Sequence, residues 1–367
     1  MPERWFSGSY RPEDCRFLLK VVDLAPVSVE EKERLIQSGA RHYSQMISAE
    51  SPPTERYQRL FLEAVEREGA RLAAHLLLLA RDMDERICGR IVVVSLARAG
   101  TPMGVILRRI LTKRFGRDCA HFSVSIVRDR GIDRNALSHI LECGYPAESI
   151  VFVDGWTGKG TIARELAASV ESFNAEHGTA VGTGVWTVAD LSGSAEVAAS
   201  AEDFLIPSSL LNSTVSGLVS RTILHEDHSG PGEFHGCLRL DALAPFDRSG
   251  WFVDRIEEES VRIPLEGLPQ PLRSGSPRSR LLREAMESML DDLARRFPSA
   301  RNRNFAKPGL GESTRVLLRR IPERLLLSES DHPEAEHLRL LAREKDVPVE
   351  VIPGLPVKAV ALIRGLD

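Results

Sequence analysis

Cysteine is scarce in this chain. The five residues Cys15, Cys88, Cys119, Cys143 and Cys237 are odd in number and form no Cys-x-x-Cys pair, so neither a disulfide framework nor a thiolate zinc site is indicated. Long hydrophobic runs are absent too. The longest, Leu72 to Ala80, is broken by His75 and is far too short to span a bilayer. The opening residues Met1-Pro2-Glu3-Arg4-Trp5-Phe6 lack the apolar core of a signal peptide, and a cytoplasmic location without membrane contact is expected. A net charge of -4 leaves no global polyanion footprint. His225-Glu226-Asp227-His228 and His235 have metal-ligand residue types without helical or finger spacing, so a polar loop is expected there and no protein metal site.

What is present suits a two-domain α/β chain. At 367 residues and 43% apolar content, it can bury a sizeable core in one large and one small domain. Apolar segments near residues 91, 121, 150, 183 and 204 alternate with helical ones. That alternation predicts a parallel sheet with helices on both faces and ligands at the carboxyl ends of its strands. The expected divisions are a mostly helical part at 1–83, a sheet core at 84–207 and a hood at 208–268, followed by a linker and helix at 269–300. A small α/β domain at 301–367 completes the chain, with strands at 314–318 and 349–352 and a helix at 334–345.

The densest chemical signal is Ile150-Val151-Phe152-Val153-Asp154-Gly155-Trp156-Thr157-Gly158-Lys159-Gly160-Thr161. An apolar strand ends in a carboxylate, and a small polar loop then leads into a helix. Free amides at a helix N-terminus favour an anion there. A nucleotide-binding P-loop fails, because Val153 stands where its first Gly belongs and Gly160 where Ser or Thr should hold magnesium. The dinucleotide fingerprint fits Gly158 to Ala163 but begins too far beyond the strand. The acid followed by Thr-Gly-x-Gly-Thr resembles instead the phosphoribosyl pyrophosphate (PRPP) loop of type I phosphoribosyltransferases. Upstream, Ile91 to Leu96 reads as a buried strand, and Arg98-Ala99-Gly100 after it looks like the pyrophosphate loop of that family. Between them, Arg128 and Arg130 sit where a mobile basic loop would close.

Four segments together carry a closer resemblance: Ser9 to Asp14, His42 to Met46, Val153 to Gly160 and Ser216 to Thr222. They are similar to a divergent bacterial phosphoribosyltransferase family associated with tellurium-resistance and stress operons. That family carries a C-terminal Pelota-type RNA-binding domain and also goes under the name of StiP-like cysteine proteases. The resemblance implies a type I phosphoribosyltransferase-like fold and transfer of ribose 5-phosphate from PRPP to an unidentified base-like acceptor. It further implies Mg2+ bound mainly through PRPP, and a homodimer. Asp154 would hold the ribose, Thr157, Gly158, Lys159, Gly160 and Thr161 the 5-phosphate, and Arg98, Ala99 and Gly100 the pyrophosphate. Arg128 and Arg130 would clamp. The chain departs from the pattern at Gly155 and Trp156, where a second acid and its neighbour belong.

Two alternatives remain open. One is a non-catalytic regulator that senses PRPP or a nucleotide and signals through RNA. The other is a cysteine protease, which needs a low-pKa thiol beside an imidazole. Cys237 with His235 is the near pair, but alternate residues on an extended chain face opposite ways; another His would have to approach Cys237 or Cys15. In the tail, Arg295, Arg296, Arg301, Arg303, Lys307, Arg315, Arg319, Arg320 and Arg324 meet only Glu312 and Glu323 as acids. That excess predicts contact with RNA phosphates, and with no aromatic stacking pair there, recognition of backbone and shape.

Overall fold

A computed structural model describes residues 4–365. The chain begins with two short strands, β1 (Arg16–Leu18) and β2 (Lys20–Val21), before helices α1 (Val29–Gln37) and α2 (Glu55–Arg86). The expectation of a mostly helical first part is therefore corrected: Phe17 and Leu18 are fully buried because β1 joins the main sheet. Helix α2 starts at Thr54, whose hydroxyl accepts from the Tyr57 amide, an N-cap that satisfies one free donor.

Next come β3 (Ile91–Ala97), α3 (Thr101–Arg114), β4 (Cys119–Val127), β5 (Gly131–Ile132) and α4 (Arg134–Glu142). β6 (Ile150–Thr157), α5 (Thr161–His177), β7 (Val185–Asp190) and β8 (Val197–Ser200) follow. β9 (Gly236–Cys237) pairs with β2, α6 (Ser249–Arg262) crosses α2 and α3, and β10 (Leu272–Arg273) closes the sheet edge. Strand order is β1-β4-β3-β6-β7-β8-β10, parallel from β1 through β8, with β10 antiparallel. The chain is thus mixed α/β around a mostly parallel sheet.

Both faces of that sheet are buried, which is why β3 reads as an apolar run broken only by Ser95, whose hydroxyl is satisfied by the His121 ring. Ile91 and Val93 turn to the core formed with α2, α3 and α6, while Val92, Val94 and Leu96 turn to the core formed with α4 and α5. The segment around Phe204, expected as a strand, is buried but unpaired. Pro207, which has no amide hydrogen to give a ladder, follows at once.

The C-terminal part opens with α7 (Pro277–Arg296), then β11 (Ala306–Pro308), α8 (Leu310–Arg319), β12 (Pro322–Leu327), α9 (Glu336–Glu344), β13 (Val349–Val351) and β14 (Ala359–Ile363). Its sheet runs β11-β14-β12-β13. Met286, Met289, Leu290 and Leu293 of α7 share a core with Leu326, Val360 and Leu362. The strand expected at 314–318 is instead the middle of α8. Leu310, Ser313, Thr314 and Leu317 are buried at helical spacing, and the Thr314 hydroxyl donates back to the Leu310 carbonyl at 2.7 Å.

The two parts are joined by one buried carboxylate in particular. Asp203 accepts from the Leu310 amide at 2.9 Å and from the Lys358 amide at 2.8 Å. It thereby caps α8, whose own preceding residue, Gly309, has no side chain to do so. Among the described residues, no helix is long and apolar enough to cross a membrane.

Candidate functional site

The carboxyl end of β6 delivers Asp154, Trp156 and Thr157, and the turn 158–160 then enters α5. Gly160 has φ +75°, and a Cβ there would lie 2.6 Å from the Ser194 Cβ. Only glycine closes this turn without strain. The Thr157 hydroxyl donates to Asp190 Oδ1 at 2.5 Å, so it braces the turn against β7 rather than pointing at a ligand. Asp190 also accepts from the Ser192 and Ala195 amides.

Above this turn lies a cavity of about 630 Å³ whose walls come from both parts of the chain. Lys32, Arg128, Lys159 and Arg221 line it from the first part, and Lys307, Arg315, Arg319 and Arg320 from the second. The carboxylates in the lining are Asp154 and Glu312, and from outside it Glu33 holds Arg320 and Asp129 holds Arg128, which leaves cations in surplus. A smaller chamber of about 190 Å³ adjoins it, lined by Arg98, Ala99, Ser208, Asn212, Arg221 and Arg319 among others.

Burial in this setting makes charge expensive. It pushes the Lys159 ammonium down to about 7, with Lys307 adding repulsion, and Lys32 down to about 8. It also lowers the Lys307 ammonium. Asp154 is pushed up to about 6 by burial, opposed by nearby Arg315 and by the Gly155 amide that donates to it at 2.7 Å. Burial disfavours the charged guanidinium of Arg319 and of Arg221, and Arg98 repels both. Arginine nonetheless stays charged. Arg319 Nε and Arg221 Nη1 are shut off from solvent without hydrogen-bond partners.

The expected site residues have distinct places. Arg98 follows a cis Ala97–Arg98 peptide, pairs with Glu50 at 2.5 Å and donates to the Val219 carbonyl at 2.8 Å. Burial pulls the Glu50 carboxyl up, but Arg98 and Arg319 outweigh it and hold Glu50 at about 2. Ala99 lines the smaller chamber. Gly100 packs so tightly that a Cβ would meet the Val153 carbonyl oxygen at 2.7 Å. Lys159 reaches across to the Arg303 and Ala306 carbonyls. Gly158 lies against Pro308, whose carbonyl oxygen would be 3.1 Å from an added Cβ. Thr161 begins α5 and lines the cavity. Arg128 lies over the Tyr43 ring at 5.3 Å and pairs with Asp129 at 3.1 Å, while Arg130 is exposed and outside the cavity wall.

Sequence reasoning missed Glu50, Tyr43, Arg221 and Lys32 as members of this site. Each comes from a segment far away in the chain. Arg319 and Arg315 were expected to contact RNA phosphates, and α8 turns them into the cavity, with Arg315 4.3 Å above the Trp156 ring.

The thiol pairing considered from sequence does not form. The His235 ring contacts Ser125 Oγ at 2.8 Å, and burial pushes the Cys237 thiol up to about 12. Burial also pushes the Cys15 thiol well up and the Cys119 thiol up to about 12, and all are inert in that state. Cys88 and Cys143 are exposed. Cys143 Sγ lies 3.7 Å from His139 Nε2, one helical turn earlier on α4. Among the described residues, no group of three or more His, Cys, Asp or Glu could hold a metal ion.

Comparison with known proteins settles the family. Residues 8–257 match the model of the tellurite-like stress resistance cysteine protease StiP. The chain belongs to the StiP family. The protein named Cysteine protease StiP from Acinetobacter baylyi (strain ATCC 33305 / BD413 / ADP1) is 38% identical over 371 residues, covering 98% of this chain and 95% of its own. Residues 285–365 match the PELOTA RNA binding domain. These matches overturn the expected pentosyl transfer. The StiP relative carries the name of a cysteine protease, a hydrolase rather than a glycosyltransferase. The loop after β6 misled because a turn suited to phosphate says what is bound, not which bond is broken.

Proposed function

We propose that the chain is a stress-resistance hydrolase of the cysteine-protease type, and that the cleft between its two parts holds a phosphate-bearing partner. The 38% identity to Cysteine protease StiP along nearly the whole chain supports the first half. The observation that carries the second is the surplus of cations over carboxylates in a shielded cavity. Burying like charges together destabilises a fold unless an anion joins them. The turn at 158–160 adds the amides at the start of α5 to that pull.

For the protease chemistry, Cys143 is the thiol to test. It is exposed and contacts an imidazole. Burial lowers the His139 pKa, which keeps the ring neutral and able to take a proton. The thiol sits at the C-terminal end of α4, where the helix field opposes a thiolate, so activation falls to His139 alone. Hydrolysis of a casein or fluorogenic peptide panel should stop in Cys143→Ala and His139→Ala and persist in Cys88→Ala. Unchanged hydrolysis in Cys143→Ala would remove this assignment.

For the cleft, calorimetry with inorganic phosphate and pyrophosphate should show saturable binding that Lys159→Ala and Arg315→Ala abolish. No heat from either anion would end the reading. Magnesium would enter with a pyrophosphate-type ligand, bound mainly through its oxygens. Asp154 is the cavity carboxylate free to face it, because Glu312 is held by Arg315 at 2.8 Å.

A further inference from the structure

The C-terminal part matches an RNA-binding domain, yet four of its outward arginines are engaged by its own acids. Arg296 and Arg324 both hold Glu350 at 2.9 Å, Arg303 holds Asp291 at 2.6 Å and Glu287, and Arg295 holds Asp292. Facing the cleft are Arg319 from α8, with a buried Nε that has no partner, and Lys307 beside it, whose ammonium is desolvated; on the outer side Arg324 also keeps a buried Nε without a partner, but its Nη1 holds Glu350. The aromatic partners missing from that part are present in the same cavity. Tyr43 and Trp156 come from the first part and Phe305 from the segment entering β11, and all are partly exposed.

Cations interleaved with aromatic faces form the surface that grips single-stranded nucleic acid: the cations neutralise phosphates and the rings stack on unpaired bases. We propose that single-stranded RNA enters this cleft, with phosphates on Lys159, Lys307 and Arg319 and bases on Tyr43, Trp156 and Phe305. This rests on the reading of the cleft as a phosphate site and specifies its ligand. A cavity of about 630 Å³ takes one or two nucleotides and is too small for a duplex. Arg315, already over Trp156 at 4.3 Å, extends the stacking platform, since guanidinium planes also stack on bases. Each part of the chain is incomplete without the other: one supplies the phosphate turn, two rings and Arg221, the other Phe305, Arg319 and Lys307.

The test is fluorescence anisotropy of the full chain with a labelled single-stranded oligouridylate of roughly a dozen nucleotides and with a duplex of similar length. The single strand should bind better than the duplex. Tyr43→Leu and Phe305→Leu should each weaken it about tenfold while still binding inorganic phosphate in calorimetry, which shows that they are folded. Lys159→Gln should lower the salt dependence by about one phosphate contact, and Arg296→Gln should change nothing. If inorganic phosphate binds but the oligonucleotide does not, the RNA assignment falls and the phosphate site stands. If neither binds, both fall. Equal affinity for duplex, or binding lost in Arg296→Gln and unaffected by the cleft variants, would also overturn it.

Discussion

The cleft and the outer face of the C-terminal part spend their arginines and lysines differently. Outside, Arg295, Arg296, Arg303 and Arg324 each meet a carboxylate of the same part of the chain. Arg295, Arg296 and Arg303 are about half exposed or more, and such pairs contribute little to stability or binding; Arg324 is less exposed, but its Nη1 is satisfied by Glu350. Inside, Arg319 and Arg221 keep buried nitrogens without partners, and Lys159 can satisfy its ammonium only on backbone carbonyls. A solvated pair needs no ligand to explain it. A desolvated surplus does, and this contrast makes the cleft the working surface.

The largest test removes the joint that builds the cleft. Asp203→Ala leaves the Leu310 and Lys358 amides without their acceptor and uncaps α8. Losing two hydrogen bonds to a charged group should cost about 3 kcal/mol. Calorimetric melting should show a lower midpoint and separate transitions for the two parts, with phosphate binding lost. A single unshifted transition would mean that the apolar contacts of Leu310 and Leu317 hold the parts together unaided.

Next in size is Arg319→Met. Replacing an unsatisfied buried cation by an apolar side chain of similar length should stabilise the empty protein by about 1 kcal/mol. The same change should remove most of the protection that pyrophosphate gives to the melting temperature. If the variant is destabilised in the absence of ligand, the attraction of Glu50 for Arg319 outweighs its desolvation, and the cleft is closer to neutral than its lining suggests.

Much of the sheet was legible in the sequence, and the reasons are local. β3 and β6 are apolar runs long enough to be buried on both faces, and the glycine turn after β6 announces itself by composition. Helix α8 was not legible, because Thr314, Val316 and Leu318 imitate a strand. Its cap is also a carboxylate more than a hundred positions earlier, so no start signal precedes it in the chain. The cleft was half legible for the same reason. The turn and Arg128 could be read, whereas Tyr43, Glu50 and Arg221 join only through folding, and the inward aim of Arg315 and Arg319 depends on α8 being a helix. The chemistry was least legible: the phosphate-type turn favoured a transferase, and the family match overturned it.

A smaller effect comes from pH. The folded pKa of Lys159, about 7, lies below its value near 10.4 in an unfolded chain. Between those values the unfolded chain binds more protons, so this residue's contribution to stability rises with pH. A bound phosphate reverses the preference and draws a proton onto Lys159. Affinity should therefore fall as pH rises above about 7, and calorimetry in buffers of different ionisation heat should register proton uptake. Lys159→Arg should abolish that uptake while keeping the charge. Uptake that survives the substitution would move its source to the other desolvated groups of the cavity, Lys32 at about 8, Lys307 or the Asp154 carboxyl at about 6, each driven toward protonation by an incoming anion.

The smallest expected effect is on the outer face, where it matters most as a contrast. Arg296→Gln and Arg324→Gln each leave Glu350 one remaining arginine, so neither strands a charge. Stability should change by less than about 0.5 kcal/mol, and phosphate binding should not change. These arginines also lie over the Phe297 ring at 5.4 and 5.0 Å, so any loss beyond that range would report ring packing rather than charge. High salt separates the two: an ion-pair effect is screened, a packing effect persists. If instead either variant weakened phosphate binding as much as Arg319→Met, paired surface cations would be contributing at a distance, and pairing would no longer distinguish the two faces.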